Sequence, residues 1–289
     1  MLHRFRGFKS SDPRDKVYSL FRLTSEDADL KPDYNRPVQE LYKDVVRVSI
    51  KASNTLQVLY HHNQTIQGIR GLPTWCPDWT VMRGRRILLW PNEYSAGGNG
   101  KASSRFDGNK LYLKEKLLDR VQWLESFDSD IFYRNADVFR RIEAIETEIL
   151  RRSEVCSTAE ETSWPSLNSF RATLVGSRIR KKGPSQMATG LRPSDAGRLW
   201  HAWHEHMSNR PSDELRGDAK LYNDALYSAL CGRSFVLTEH KHFGLADIPV
   251  RVGDLIGAFS GSGVLFAVRK KAEAGLARTE DHFDFVGEW

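Results

Sequence analysis

Histidines gather most densely at His201-Ala202-Trp203-His204-Glu205-His206. On a helix His201 and His204 stand one turn apart and His201 shares a face with Glu205, while His206 points elsewhere. The spacing matches no zinc pattern and supplies no fourth ligand, and His240 and His242 lie far along the chain. These histidines therefore read as structural or exposed, and no metal ligand is assigned. Cys76 would need a histidine base to act as a nucleophile. His61 and His62 are at hand, yet no spacing ties them to it, so Cys76 reads as a small buried side chain. Gly261-Ser262-Gly263 lacks the following helix that would aim N–H groups at a phosphate, and reads as a hairpin turn. Arg14 and Asp15 are of types that pair with carboxylate or phosphate, but their first task is to open a helix. The compact basic run Arg178-Ile179-Arg180-Lys181-Lys182 is the one candidate nucleic-acid patch. No catalytic or cofactor-binding residue is assigned, and no cofactor is expected.

The elements around these residues follow from caps and periodicity. Asp12 is an N-cap, Pro13 takes the first helical position, and Asp15 meets the positive end of the helix dipole. Val17, Leu20 and Phe21 then give one apolar face. Pro37 opens a second helix with an apolar stripe of Val38, Leu41, Tyr42, Val45 and Val48. Leu56–Tyr60 fits a strand or a helical turn. Pro73 and Pro77 forbid a helix around Trp75 and Trp79, so residues 70–80 read as a rigid turn with two anchored rings. Residues 91–103 read as a loop. Asp107-Gly108 marks a hairpin, with a strand continuing to Trp123.

Residues 130–161 carry Phe139, Ile142, Ile145 and Ile149 at helical spacing. A helix starts at Ser163-Trp164-Pro165, residues 176–196 read as a flexible connection, and helices follow over 194–207 and 217–230. The period then becomes two. Short strands are expected at 235–237, 255–259, 264–268 and 283–286, with turns at Gly253-Asp254 and Gly261-Ser262-Gly263. The expected fold is α+β: a mostly helical body, a two-tryptophan loop, and a small antiparallel β-sheet or partial barrel at the C-terminus. Three segments follow: 1–125 with helices, Trp loop and hairpin; 126–232, helical; and 233–289, a small β segment.

Composition limits the function classes. The 289 residues suffice for one large domain or two modest ones. No apolar run approaches a membrane span, and the basic start has no apolar signal core behind it. Three cysteines, Cys76, Cys156 and Cys231, are too few and too scattered for a disulfide framework, which points to a reducing, cytoplasmic setting. The formal net charge is +6 and the pI about 9.2, but charges of both signs are interleaved, as in a mildly basic soluble protein.

Three motifs carry a family resemblance. The run SSDPRDKVYSLFRLTSEDADLKPDYNRPVQELYKDVV resembles a segment of fungal heterokaryon-incompatibility (HET domain) proteins reading roughly DPRDKVYALLGL, then an acidic loop, PDY and a second helix. The matching residues are Asp12, Pro13, Arg14, Asp15, Lys16, Val17, Tyr18, Leu20 and Leu23, then Pro32, Asp33 and Tyr34, then Val38, Tyr42 and Val45. Leu72-Pro73-Thr74-Trp75-Cys76-Pro77-Asp78-Trp79 is similar to that family's LPSWVPDW. The stretch 232–269, with its Gly253-Asp254 turn, resembles the family's C-terminal glycine-rich β segment.

The resemblance implies that the family's named domain, likened to the TIR fold and expected to hold any nucleotide-cleaving site, lies upstream of this chain. The sequence then resembles the C-terminal two-thirds of a larger protein: a fragment or short paralogue lacking the HET core. The implied role is a non-catalytic scaffold or partner-sensing region in non-self recognition and programmed cell death. Protein partners are implied, either the missing HET half or other incompatibility factors; from composition no membrane is expected, and the interleaved charges disfavour nucleic acid. A first helix so close to Met1 is further expected to have lost the cover of its apolar face, leaving the chain marginally stable or self-associating. Two alternatives stay open: an enzyme using Trp75–Trp79 or His201–His206 for NAD cleavage or metal-dependent hydrolysis, and a nucleic-acid module using residues 178–182.

Overall fold

A computed structural model describes residues 6–21, 32–62, 68–81, 96–98, 100–156, 164–180, 188–209, 214–271 and 282–289. In chain order the elements are α1 (Asp15–Phe21), α2 (Val38–Ser53), a 3-10 turn (Gln57–His61), β1 (Ser104–Asp107), β2 (Lys110–Leu113), β3 (Glu115–Phe127), a second 3-10 turn (Ser129–Tyr133), α3 (Asn135–Cys156) and α4 (Leu167–Leu174). Then come β4 (Arg178–Arg180), β5 (Ala188–Gly190), α5 (Pro193–Asn209), α6 (Gly217–Leu230), β6 (Arg233–Thr238), β7 (Phe243–Asp247), β8 (Leu255–Phe259), β9 (Leu265–Lys270) and β10 (Phe283–Glu288). The α+β class stands, with six strands in the order β10-β9-β8-β3-β6-β7 and two separate two-stranded ladders.

The chain forms two compact units, drawn differently from the three consecutive segments expected. The first joins Met1–Leu118 to Asp254–Trp289, and the second is Asp119–Gly253. The difference is physical: β8, β9 and β10 share a core with residues distant in sequence, which local periodicity does not report.

In the first unit, Asp12 Oδ1 accepts from the N–H of Arg14 at 2.8 Å, and the regular helix follows from Asp15. The same carboxylate binds the Arg14 guanidinium, whose hydrogen bond holds the Asp12 carboxyl below its ordinary value. Val17 and Leu20 are 2% and 8% exposed, enclosed by the chain's own residues. This overturns the expectation of an uncovered first helix at these positions; the side chain of Phe21 lies outside the described residues. The buried face of α2 is Leu41, Tyr42, Val45, Val46 and Ile50, and Val48 is only half-buried. One core joins α1 and α2 to Leu56, Leu59 and Tyr60, to Trp75 and Trp79, and to Phe259, Phe266, Val268 and Phe285 of the three C-terminal strands.

β1 and β2 form the expected hairpin, but its two-residue loop is Gly108-Asn109, because Asp107 pairs with Lys110. Gly108 has φ +55°, the left-handed conformation such a loop needs and glycine adopts without strain. Of the expected 91–103 loop, residues 91–95 and 99 lie outside the described residues.

In the second unit α4 packs on β7 and α6 on β6, while α5 packs against α3, α4 and α6. The unit's core is aromatic. Trp200 and Trp203 lie 5.4 Å apart between ring centroids, Tyr222 stands against both, and Phe170 meets Trp200, Phe235 and Phe243. The edge-to-face pairs among these, Phe170 with Trp200, Phe235 and Phe243 and Tyr222 with Trp200, add about 0.5–1.5 kcal/mol each beyond the area they bury.

Three local expectations are corrected here. The helix expected at Ser163-Trp164-Pro165 begins at Leu167, because Ser166 supplies the cap, accepting from the N–H of Ser169. The segment 176–196 is not simply a connection: Arg178–Arg180 pairs antiparallel with Ala188–Gly190, and α5 already starts at Pro193. β7 was not expected from the pattern. It is short and contains Gly244, and its register with β6 supplies the order that its own residues do not.

Candidate functional site

The first two family-like motifs and the 254–269 part of the third converge on the core of the first unit, while residues 232–253 belong to the second unit. Arg14 donates to the carbonyl of Tyr34 and, at 3.1 Å, to that of Arg36. Tyr18 donates through its hydroxyl to the Asp33 carbonyl at 3.0 Å, and Tyr34 donates to Asp15 Oδ1 at 2.5 Å. The Asp-Pro-Arg-Asp and Pro32-Asp33-Tyr34 runs are therefore halves of one clasp. Lys16 closes the clasp at its other end by donating to the carbonyls of Arg6, at 3.0 Å, and Phe8.

Behind the clasp, Tyr42 donates to the Pro13 carbonyl at 2.9 Å, and its ring meets Trp79 edge-on at 4.8 Å. Burial pushes the Tyr42 phenol far above its ordinary value, so it stays protonated and serves as a donor. The two-tryptophan loop is fixed by Asp78, 2% exposed. Its Oδ2 accepts from the N–H groups of Gly68 at 3.0 Å and Ile69 at 2.8 Å. Its Oδ1 accepts from the N–H of Thr80 at 2.8 Å and the Thr80 hydroxyl at 2.5 Å. Trp75 donates from its ring N–H to the Asn109 carbonyl at 2.9 Å, tying the loop to the β1–β2 hairpin. Pro73 and Pro77 keep this stretch out of a helix, as read from the sequence. Asp254 is clamped by Arg269 through two hydrogen bonds of 2.7 Å, and Gly253 has φ +92° as its turn requires.

Beside the Trp loop lies a groove of about 660 Å³. One wall is β2, Lys110–Leu113, and the other is Phe283, Asp284 and Phe285 of β10. Leu59, Phe259 and Val268 contribute apolar floor, and Leu72–Trp75 line one end. Among the described residues both walls are terminal strands, β2 pairing with β1 and β10 with β9. Thr74 anchors the second wall, its hydroxyl accepting from the N–H of Phe285 at 3.0 Å. Lys110, Glu115 and the Lys271–Asp284 pair, 3.0 Å apart, give the rim mixed charge. The groove is thus a largely apolar trough between two strands with a charged rim.

The chemistry-bearing residues read from the sequence sit elsewhere or are inert. Cys76 is 2% exposed, and burial pushes its thiol far above the ordinary range, so it is no nucleophile. His62 packs edge-on against Phe285 at 5.3 Å between ring centroids. In the second unit, His204 packs on Phe139 and Trp200 and stands 3.3 Å from Glu143, while His201 and Glu205 are exposed. Among the described residues no group of three or more His, Cys, Asp or Glu side chains could hold a metal ion. Of the basic run, Arg178–Arg180 forms a strand, and Lys181 and Lys182 lie outside the described residues. No described helix is long and apolar enough to cross a membrane.

The groove residues Thr74, Lys271, Asp284 and Phe283 were not singled out from the sequence. The signal for them would have been long-range: the pairing of the Trp loop with a strand some two hundred positions later. No protein-family model, curated protein or solved structure matches this chain.

Proposed function

We propose that this chain is a fragment or short paralogue of a fungal heterokaryon-incompatibility protein, whose first unit acts in the cytoplasm as a non-catalytic, partner-sensing scaffold in non-self recognition and programmed cell death. The observation that carries the reading is that motif residues Tyr18, Tyr42, Asp78 and Trp79 are spent on one buried core, beside a groove flanked by two strand edges. Residues used in this way hold a surface rather than perform a reaction. The occupant of the groove is an extended segment of a partner protein, either the HET region of the family or another incompatibility factor. Its main chain pairs with β2 or β10, and alternate apolar side chains enter the trough.

The test is genetic and then structural. Deleting the gene in a fungal host should change the survival of fused incompatible cells, and re-expressing the chain should restore it. Leu111→Glu and Phe283→Glu, both at partly exposed groove positions, should fail to restore it while the purified variants keep their fold by circular dichroism. Unchanged survival on deletion would remove the family reading. Full rescue by both groove variants would remove the groove.

A further inference from the structure

A cluster in the second unit is unused by any of this. Asp119, on β3, has a side chain only 5% exposed. Its Oδ1 accepts from Nδ1 of His240 at 2.9 Å, and its Oδ2 from Nδ1 of His242 at 3.0 Å. A carboxylate can only accept, so both rings carry their proton on Nδ1 and, when neutral, offer Nε2 as a base. The two imidazoles are 66% and 73% exposed. Burial works to raise the Asp119 carboxyl, but hydrogen bonds from His242, Thr238, His240 and the Arg120 N–H outweigh it and keep the group ionised.

The turn does not need these rings. Thr238 donates through its N–H to the His242 carbonyl at 3.0 Å, Lys241 to the Thr238 carbonyl at 3.1 Å, and Glu239 to the Arg120 carbonyl at 2.9 Å. Between the histidines Lys241 holds φ +67°, a conformation costly for a non-glycine residue, with its ammonium 5.2 Å over the Trp164 ring. Arg120 is half-exposed, with Glu239 3.8 Å away. Two oriented, solvent-facing imidazoles and two cations, set against Asp119 and Glu239, are the parts that proton transfer around a phosphate requires.

We propose that His240 and His242 form a metal-independent general acid–base site for intramolecular phosphodiester transfer in single-stranded RNA. One imidazole, neutral, takes the proton of a ribose 2′-hydroxyl through Nε2 as the 2′-oxygen bonds to the adjacent phosphorus. The other, as imidazolium, gives its Nε2 proton to the departing 5′-oxygen as the P–O5′ bond breaks. The products are a 2′,3′-cyclic phosphate and a 5′-hydroxyl, with no redox change. The nucleophile belongs to the substrate, so the site needs no resident nucleophile, and an exposed turn suits a polymer backbone. Lys241 and Arg120 stabilise the charge on phosphorus, and the net charge of +6 favours encounter with a polyanion. Asp119 is a positioning residue.

The test uses the purified full chain and the dinucleotide uridylyl-adenosine in excess EDTA, with products separated by chromatography. Cyclic uridine phosphate should form, the 2′-deoxy analogue should stay intact, and the rate should trace a bell against pH, since one imidazole must be neutral and the other protonated. His240→Gln and His242→Gln should each lower the rate by about a hundredfold with an unchanged melt. Asp119→Asn should lower kcat with little change in KM, because an amide cannot accept from both rings and so no longer holds both in the Nδ1–H tautomer, which a purely structural role would not do. If Asp119→Asn does not fold, the two exposed histidine variants decide alone. No cyclic product from the native chain, or the native rate retained in both histidine variants, overturns the proposal.

Discussion

Replacing Asp78 by Ala removes the acceptor of three backbone N–H groups and one hydroxyl at a stroke. The Ile69 bond is buried, and those of Gly68 and Thr80 are partly so. An orphaned buried donor costs about 1–3 kcal/mol, and donors that water reaches cost less. The variant should therefore lose about 3–5 kcal/mol, a large part of the stability of a unit this size. Asp78→Asn should lose roughly half as much, since one oxygen remains while the amide N–H₂ confronts donors. Two compact units need not unfold together, so a single midpoint is a poor readout. Native-state hydrogen exchange reads the loop directly: the amides of Gly68, Ile69 and Thr80 should lose protection ahead of those in α5 and α6. A loss under about 1 kcal/mol with those amides still protected would show that Asp78 does not hold the Trp loop. Its motif position would then need a chemical explanation.

Two other measurements follow from the same geometry. Cys76 should resist a thiol-modifying disulfide reagent at mildly alkaline pH until the chain unfolds, because its thiol is buried and held protonated; rapid labelling in the native state would contradict this. Glu148 on α3 is held down from 4.5 to about 2 by Arg151 first and Arg152 second. Its folded value lies below its ordinary one, so its contribution is complete above about pH 4.5 and fades as pH falls through about 2. The difference in melting temperature between the native chain and Glu148→Gln should narrow over that window; a constant gap would refute the assignment.

What could be read from the sequence was local. Caps and periodicity placed α6 at residues 217–230, as found, and put the Trp75–Trp79 turn and the Asp107-Gly108 hairpin within a residue or so. Where a boundary slipped, a neighbouring residue had the same chemistry, as when Ser166 rather than Ser163 capped α4. What escaped needed partners far along the chain. Glycine and proline marked 176–196 as loose, yet the ladder β4–β5 forms there because its strands pair with each other. The rings of His240 and His242 meet Asp119 more than a hundred positions away. The groove likewise exists only once β10 returns beside the Trp loop. Periodicity reports which face of an element is buried, but not what buries it.

The first unit is interrupted in sequence, and this bears on how the chain is made. A ribosome adds about 5–20 residues per second, and domains tend to fold as they emerge. Residues 119–253 are contiguous and have all their strands and helices before the last stretch is synthesised. Until Phe259, Phe266 and Phe285 arrive, Leu56 and Tyr60 lack the strands that complete their core. Nascent chains should therefore pass through a stage with one finished half and one sticky half, the stage at which a holding chaperone has most to grip.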